Sequence, residues 1–420
     1  MHWIKNFDQL AKTRLRKDAL QIAEAGLDAI DTQKIIAKNV FLRGKLLQIK
    51  DQVFNLADFK TIKVIGFGKA SCTAAFALEQ ILGPLISQGI AIGAQTVACE
   101  YIQTYQGTHP LPSDYNTKIS HEIYKLSQDA TAEDLVLVVV SGGGSSLLCW
   151  PQDECVQGKL LYEAFLSSGG TIEELNIVRK HISLLKGGGL AKALYPATVA
   201  ALIFSDIPGG HFESIASGPT YKDTSTKEDA AKLIEKYKLG TFRLLETPKE
   251  DKYFEKVSNI PIMSNIDALN TMEQEAQKLG YTTKILSSQS FDNAQTILKQ
   301  IKTASTKYSA VFVGGEPQLI VTKKGGKGGR NQQSALIALK YVSESELFLS
   351  LASDGVDNSD AAGAIADEVN KKQAQKLGLD FETFLDNFDG YNYFEKTNNQ
   401  IITGPTGTNV SDLMFMLRKL

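Results

Sequence analysis

Apolar residues recur at helical spacing through Leu10, Leu15, Leu20, Ile22, Leu27 and Ile30, with polar residues between them, so residues 8 to 50 read as helices. The pattern then changes. "TIKVIGFGKASCTAAFALEQIL" is a short β-rich run, a glycine turn and an amphipathic helix. "DLVLVVVSGGGSSLL" repeats the scheme, with an unbroken apolar run from Leu135 to Val140 before a loop of small residues, and "ATVAALIFSDIPGG" follows it again. Strands that are apolar throughout are buried on both faces, which points to parallel sheets covered by helices. Strand, glycine loop and helix make the βαβ unit. The first half is therefore expected to be Rossmann-like, doubly wound on a mostly parallel sheet.

Residues 221 to 260 are highly charged and read as exposed helices and connection. The domain boundary is placed there, giving residues 1–240 and 241–420. The second half resumes with "AVFVGGEPQLIV", read as strand, turn and strand. A helix follows from about Asn331, then "ELFLSLASDGVDNSDAAGAIAD" and "IITGPTGTNVSDLMFML". It reads as a smaller α/β domain.

Composition narrows the class. The chain has 420 residues, 43% hydrophobic and 22% charged, which suits a globular protein with a core. A formal net charge of -2 supplies no global field for nucleic acid or an anionic membrane. No apolar run approaches a membrane span, and the N-terminus has no uninterrupted apolar block of the signal-peptide kind. Cys72, Cys99, Cys149 and Cys155 form no CxxC pair or zinc spacing, so reduced core thiols in a cytoplasmic protein are expected.

The candidate chemistry sits in loops at the carboxyl ends of strands, where open α/β sheets bind ligands. "GFGKAS" is neither a dinucleotide fingerprint, which would need glycine at Ser71, nor a Walker A loop. Gly68 and Lys69 nevertheless stand where strand gives way to helix, and helix N-termini favour anions. Lys69 is either an exposed turn lysine or a cation facing an anionic partner. "SGGGSS" supplies Ser141, Gly142, Gly143, Gly144 and Ser145, a turn whose amides suit phosphate or carboxylate. It lacks the GxSxG pattern of a nucleophilic serine. "LNIVRKHISLLKGGG" adds the basic side chains Arg179 and Lys186. "SDIPGG" places Asp206 at a strand end, where it either holds Mg²⁺ or caps a turn. "ASDGVDNSD" adds Asp354, Asp357 and Asp360, spaced unlike an EF-hand and compatible with Asx turns.

The stretch "KKGGKGGRNQQSALIAL" carries Gly325, Gly326, Gly328 and Gly329 directly into a helix beginning with Arg330 and Asn331. A slack linker would not run straight into an amphipathic helix. The glycines allow close backbone approach, and Lys327 and Arg330 supply charge, so the loop reads as a phosphate grip. Glycine loops, two placed cations and strand-end aspartates are the parts that phosphoryl transfer with Mg²⁺ uses.

Taken together, "GFGKAS", "THPLPSDYN", "SGGGSSLL", "ELNIVRKHISLLKGG", "IASGPT", "GGEPQLIV", "GGRNQQSALIAL", "SDGVDNSDAAGAIAD" and "TGPTGTN" run in order from Gly66 to Asn409. In this set the chain resembles the class II glycerate kinases, the glycerate 2-kinase family with a C-terminal MOFRL domain. The resemblance implies ATP-dependent phosphorylation of D-glycerate to 2-phosphoglycerate with a divalent metal, in a cleft between the two domains. It implies that Lys69 and Arg330 are catalytic cations, and that Asp206 or Asp354 holds Mg²⁺ or accepts the hydroxyl proton. The expected partners are D-glycerate and ATP, without nucleic acid or membrane, and a homodimer is permitted. Two departures stand out: Gly210 replaces an expected second aspartate after Asp206, and the "DGVDNSDAAGA" loop is one residue short, with Asn358 in place of glycine. The rival labels are an NAD(P)H-dependent hydroxypyruvate reductase, which the missing GxGxxG and ribose-binding acid argue against, and a non-catalytic sugar-acid or phosphate-binding module.

Overall fold

The computed structural model describes residues 2–166, 169–205, 211–321 and 325–419. It forms two compact units, Thr32–Ser205 with His211–Met263, and Met1–Asp31 with Ser264–Leu420. This partition differs from a division at residue 240. Helix Arg14–Ala29 packs on helix Asn265–Lys278 of the C-terminal half. The stretch beyond residue 240 returns to the first unit because its strand completes that unit's sheet.

The helical reading of residues 8 to 50 holds for Phe7–Leu10, Arg14–Ala29 and Thr32–Asn39 and then ends. Strands β1 (Val40–Arg43), β2 (Leu46–Ile49) and β3 (Gln52–Asn55) form a small antiparallel meander. The reason is local: β-branched and aromatic residues flank a turn in which Gly44 adopts φ 61°.

The main sheet of this unit comprises β4 (Thr61–Phe67), β5 (Ile86–Gly93), β6 (Ile102–Gln106), β7 (Asp134–Ser141), β8 (Thr198–Phe204) and β9 (Val257–Met263). All neighbouring pairs are parallel, in the order β6-β5-β4-β7-β8-β9. Counted from β4 this is 3-2-1-4-5-6, the Rossmann order, with its reversal between β4 and β7. Every residue of β7 is buried, as its unbroken apolar run requires of a central strand. The helix Asp114–Gln128 starts where Ser113 accepts the Asn116 N–H.

The second unit carries β10 (Thr282–Ser290), β11 (Ser309–Gly315), β12 (Glu346–Ala352), β13 (Gly363–Asp367), β14 (Gln400–Ile401) and β15 (Asp412–Arg418), in the order β10-β11-β15-β12-β13-β14. Only β10 and β11 run parallel among these pairs; the sheet is mixed. "PQLIV" after β11 is not a strand: Gln318 makes an isolated bridge to Asn293, and Ile320 and Val321 stay exposed. The buried Arg16 ties helix Arg14–Ala29 to this sheet, donating to both oxygens of Asp367 at 2.7 Å and to Asn399. No described helix is long and apolar enough to cross a membrane. All four cysteines are unpaired, and burial pushes the Cys72 thiol up to about 11 and Cys149 up to about 12.

Candidate active site

The first cluster of expected residues lies at the reversal of strand order. The turn after β4 and the turn after β7 are adjacent there, and hydrogen bonds lock them together. The Lys69 N–H donates to the Gly142 carbonyl at 2.8 Å, and the Ala70 N–H to Ser141 Oγ at 3.1 Å. Gly68 makes this approach possible. Its φ is 116°, and a Cβ there would lie 2.2 Å from Ser141 Oγ and 2.3 Å from the Ser141 carbonyl oxygen. The Gly68 N–H is engaged by the Ile92 carbonyl. Gly68→Ala therefore combines a disfavoured backbone with overpacking and is expected to cost about 2–3 kcal/mol in urea unfolding. It should also displace Lys69 and lower turnover.

Gly143, at φ 77°, opens the cluster's next layer. A Cβ on it would meet His109 Cδ2 at 2.8 Å and Lys69 Cγ at 3.1 Å, so imidazole and lysine stem converge over a residue that cannot carry a side chain. Gly144 is similarly pressed against Ala216, 2.5 Å from where its Cβ would stand. Ala216 and Ser217 adopt φ 51° and 61°, a left-handed pair of non-glycine residues next to a loop of interest. The consequence is geometric: Ser217 Oγ lies 3.0 Å from Ser145 Oγ and donates to Asn176 Oδ1 at 3.2 Å. Arg179 makes a long contact of 3.5 Å to the same Asn176 oxygen.

A cavity of about 260 Å³ adjoins this chain of groups, lined by His109, Gly143, Ser145, Tyr162, Arg179 and Lys186 among others. The two basic side chains differ in state. Lys186 is buried and already bound, donating to the Leu148 carbonyl at 2.6 Å and to Glu154, which also accepts the Trp150 N–H. Burial holds the Glu154 carboxyl above its ordinary value against the pull of Lys186. Arg179 has no carboxylate within ion-pair distance among the described residues.

The second cluster surrounds Arg330, in the other unit. Helix Arg330–Ala338 begins with N-cap Gly329, but its second and third amides are already occupied. Asp357 accepts from the Asn331 N–H at 3.0 Å, the Gln332 N–H at 2.8 Å and both side-chain amides. Gly329 permits this, since a Cβ on it would fall 2.3 Å from Asp357 Oδ1. Gly326 likewise makes room for Asp389, which takes the Lys327 N–H at 2.9 Å. The Gly325 position abuts Phe388, and Gly328 takes φ 120° against the Tyr391 backbone. The loop is anion-binding, and the anions in these contacts are the chain's own carboxylates. Lys327 follows suit, 3.3 Å from Asp360 and 3.4 Å above the Tyr391 ring. Asn358 takes the left-handed φ of 49° and donates to the Gly328 carbonyl at 3.2 Å, which is how asparagine serves where glycine was expected.

What this loop presents to its surroundings is the Arg330 side chain, which lines a cavity of about 270 Å³ with Gln318, Gln333 and Ser334. Its Nε donates to Asp412, the first residue of β15, and its Nη2 to Glu316 at 3.1 Å. Burial opposes the guanidinium charge, but Asp412 and Glu316 outweigh it and raise its pKa. Antiparallel pairing explains the grouping: Asp412 is in register with Gly315 and Ala352, so the start of β15 adjoins the ends of β11 and β12. Asn331 is buried and donates to Asp412 Oδ1 at 2.8 Å while accepting from Ser350, so it positions rather than presents. Burial pushes the Asp412 carboxyl up to about 7 despite Arg330. A carboxyl raised in the fold favours the native state fully below its unfolded pKa, near 3.8, and loses that contribution as pH rises to 7. Asp412→Asn should thus flatten stability against pH in that window. The wild-type term spread across it is on the order of 4 kcal/mol, read from urea midpoints.

Asp206 and Gly210 lie outside the described residues. Asp354 is half-buried at the end of β12; its Oδ1 accepts the Val356 N–H at 3.0 Å in an Asx turn. Among the described residues no three His, Cys, Asp or Glu groups converge as a metal site. Sequence reasoning missed His109, Asn176, Ser217, Asp357 as a cap, and Asp412. The strand-end position of "THPLPSD" was a usable signal for His109, whereas nothing local marks Asp412 as the partner of a residue 82 positions away.

Comparison with known proteins places the chain. Residues 18–245 match a family described as a domain of unknown function, DUF4147, and residues 309–412 match the MOFRL family. The chain is similar to the glycerate 2-kinase of Pyrococcus horikoshii, 33% identical over 96% of each chain. It is similar in structure to the crystallised glycerate kinase of Thermotoga maritima, with a TM-score of 0.82, 32% identity, and 96% of this chain and 99% of that one spanned. It is also 31% identical, over 84% of its length and 86% of the relative's, to an Agrobacterium vitis protein named putative hydroxypyruvate reductase. With both domain matches and full-length similarity in hand, the chain belongs to the glycerate 2-kinase family of DUF4147 and MOFRL domains.

Proposed function

We propose that this protein transfers the γ-phosphoryl group of ATP to the 2-hydroxyl of D-glycerate, giving 2-phosphoglycerate. The observation that carries the reading is full-length similarity to glycerate 2-kinases in a chain that has a lysine at the β4 turn and an arginine at the head of the MOFRL helix. The resemblance to glycerate 2-kinases supports Lys69 and Arg330 as the cations that meet the transferring phosphoryl group. Charge on the transferring phosphoryl group is spread over its oxygens, so paired cations lower the barrier without covalent chemistry.

The residues present fit a magnesium nucleotide in a limited way. Magnesium in kinases is held mainly by phosphate oxygens and water with one or two carboxylates, and Asp354 is the described carboxylate that would contribute one. Bound there, the metal would neutralise phosphate charge. This chain's own contributions are to hold the phosphoryl oxygens through Lys69 and Arg330 and to keep Arg330 aligned through Asp412 and Glu316.

The test is a coupled assay of ADP formation with D-glycerate and Mg²⁺, run beside NADH oxidation with hydroxypyruvate. ADP formation without NADH oxidation is expected. NADH oxidation would uphold the reductase name carried by the Agrobacterium relative, and neither reaction would favour a binding module.

A further inference from the structure

We propose that the cavity beside the Gly142–Gly144 turn is the seat of the substrate's carboxylate, and that Arg179 is the residue that holds it. This rests on the kinase reading and assigns the acid, rather than the nucleotide, to this site.

The argument starts from charge. Arg179 is half-buried, and the desolvation of its guanidinium works against its charge, opposed by Tyr162 and Glu154 only from a distance. An arginine keeps its proton under such conditions, so a partly desolvated one facing a cavity is stabilised by an anion there. Glu154 is not that anion, because Lys186 already neutralises it. Among the described residues, the side chain of Arg179 makes one hydrogen bond, the 3.5 Å contact to Asn176, at the limit of such bonds. Among the described residues, Arg179 therefore lines the cavity as a positive charge with no carboxylate paired to it, which matches a monocarboxylate better than a triphosphate.

Shape and hydrogen-bonding capacity agree. The cavity, about 260 Å³, also has the apolar wall residues Leu111, Pro112 and Ile172, suited to a small carbon skeleton. Ser145 lines it too, with its hydroxyl held in place by Ser217. The left-handed backbone at Ala216 and Ser217 sets that second hydroxyl, a strain that persists only where surrounding contacts enforce it. A guanidinium fork suits a planar carboxylate with two parallel bonds. Gly143 is part of the cavity wall, and the stem of Lys69 passes it at Cγ, which brings the lysine beside the seat.

Steady-state kinetics of Arg179→Met and Arg179→Lys test this. Arg179→Met should raise KM for D-glycerate about 100-fold, with KM for ATP changed less than about threefold. Arg179→Lys, which keeps charge and volume but loses the fork, should fall between. Thermal unfolding of both variants checks that they fold. A rise confined to KM for ATP would overturn the assignment in favour of phosphate, and unchanged KM values would overturn it outright. Calorimetric titration of D-glycerate with a nonhydrolysable ATP analogue present reads the seat without turnover. Binding that Arg179→Met abolishes supports the seat even if no ADP forms, in which case the kinase reading fails alone. Equal binding in both proteins, or none to the wild type, overturns the seat.

Discussion

Lys69→Ala is expected to lower kcat/KM for D-glycerate by about a thousandfold, roughly 4 kcal/mol of transition-state stabilisation. The folded state should be little changed. The lysine's backbone N–H, not its side chain, makes the bond to Gly142 that joins the two turns, and alanine keeps it. Arg330→Ala should cause a loss of similar size with a different signature. It leaves Asp412 buried beside Asn331 without its cation, so the midpoint of unfolding should fall as well. Arg330→Lys separates the two effects, because it restores charge near Asp412 without the fork that also reaches Glu316. Circular dichroism and urea unfolding alongside the assay decide whether lost activity is lost chemistry. Full activity in either alanine variant would remove that cation from the mechanism.

Asp357→Ala carries the largest expected loss of stability, about 4 kcal/mol. The cap of helix Arg330–Ala338 disappears, and the buried Asn331 and Gln332 N–H groups are left without an acceptor, at about 1–3 kcal/mol each, while the two side-chain amides keep Asp412 and Ser359 as acceptors. Asp357→Asn should cost less, because one oxygen still accepts. Urea denaturation gives both numbers. A loss under about 1 kcal/mol for the alanine variant would mean that water replaces the carboxylate at no cost, and that the glycine loop is not built around it.

The contrast between the two clusters explains what could be read from the chain. β7 is legible because six successive apolar residues have no other place than the middle of a parallel sheet. The loops after β4 and β7 are legible as a site because topology, not contact, puts them together. The meander at Val40–Asn55 was hidden by apolar spacing that fits helix and strand alike until the Gly44 turn is weighed. The glycine loop was legible as anion-binding, but not whose anion it takes. Asp357 and Asp389 come from turns 25 to 62 residues further on, and nothing short of the fold brings them back to Gly326 and Gly329. Arg179 and Lys186 look alike in sequence, yet one is neutralised by Glu154 and the other is not, a distinction made entirely by packing.

The most direct measurement is ³¹P NMR of the product formed from ATP, Mg²⁺ and D-glycerate by the wild-type protein. The account predicts stoichiometric ADP and a phosphomonoester resonance that matches 2-phosphoglycerate, absent with Lys69→Ala over the same period. A 3-phosphoglycerate resonance would contradict the acceptor assigned here, and inorganic phosphate alone would contradict transfer to the acid altogether.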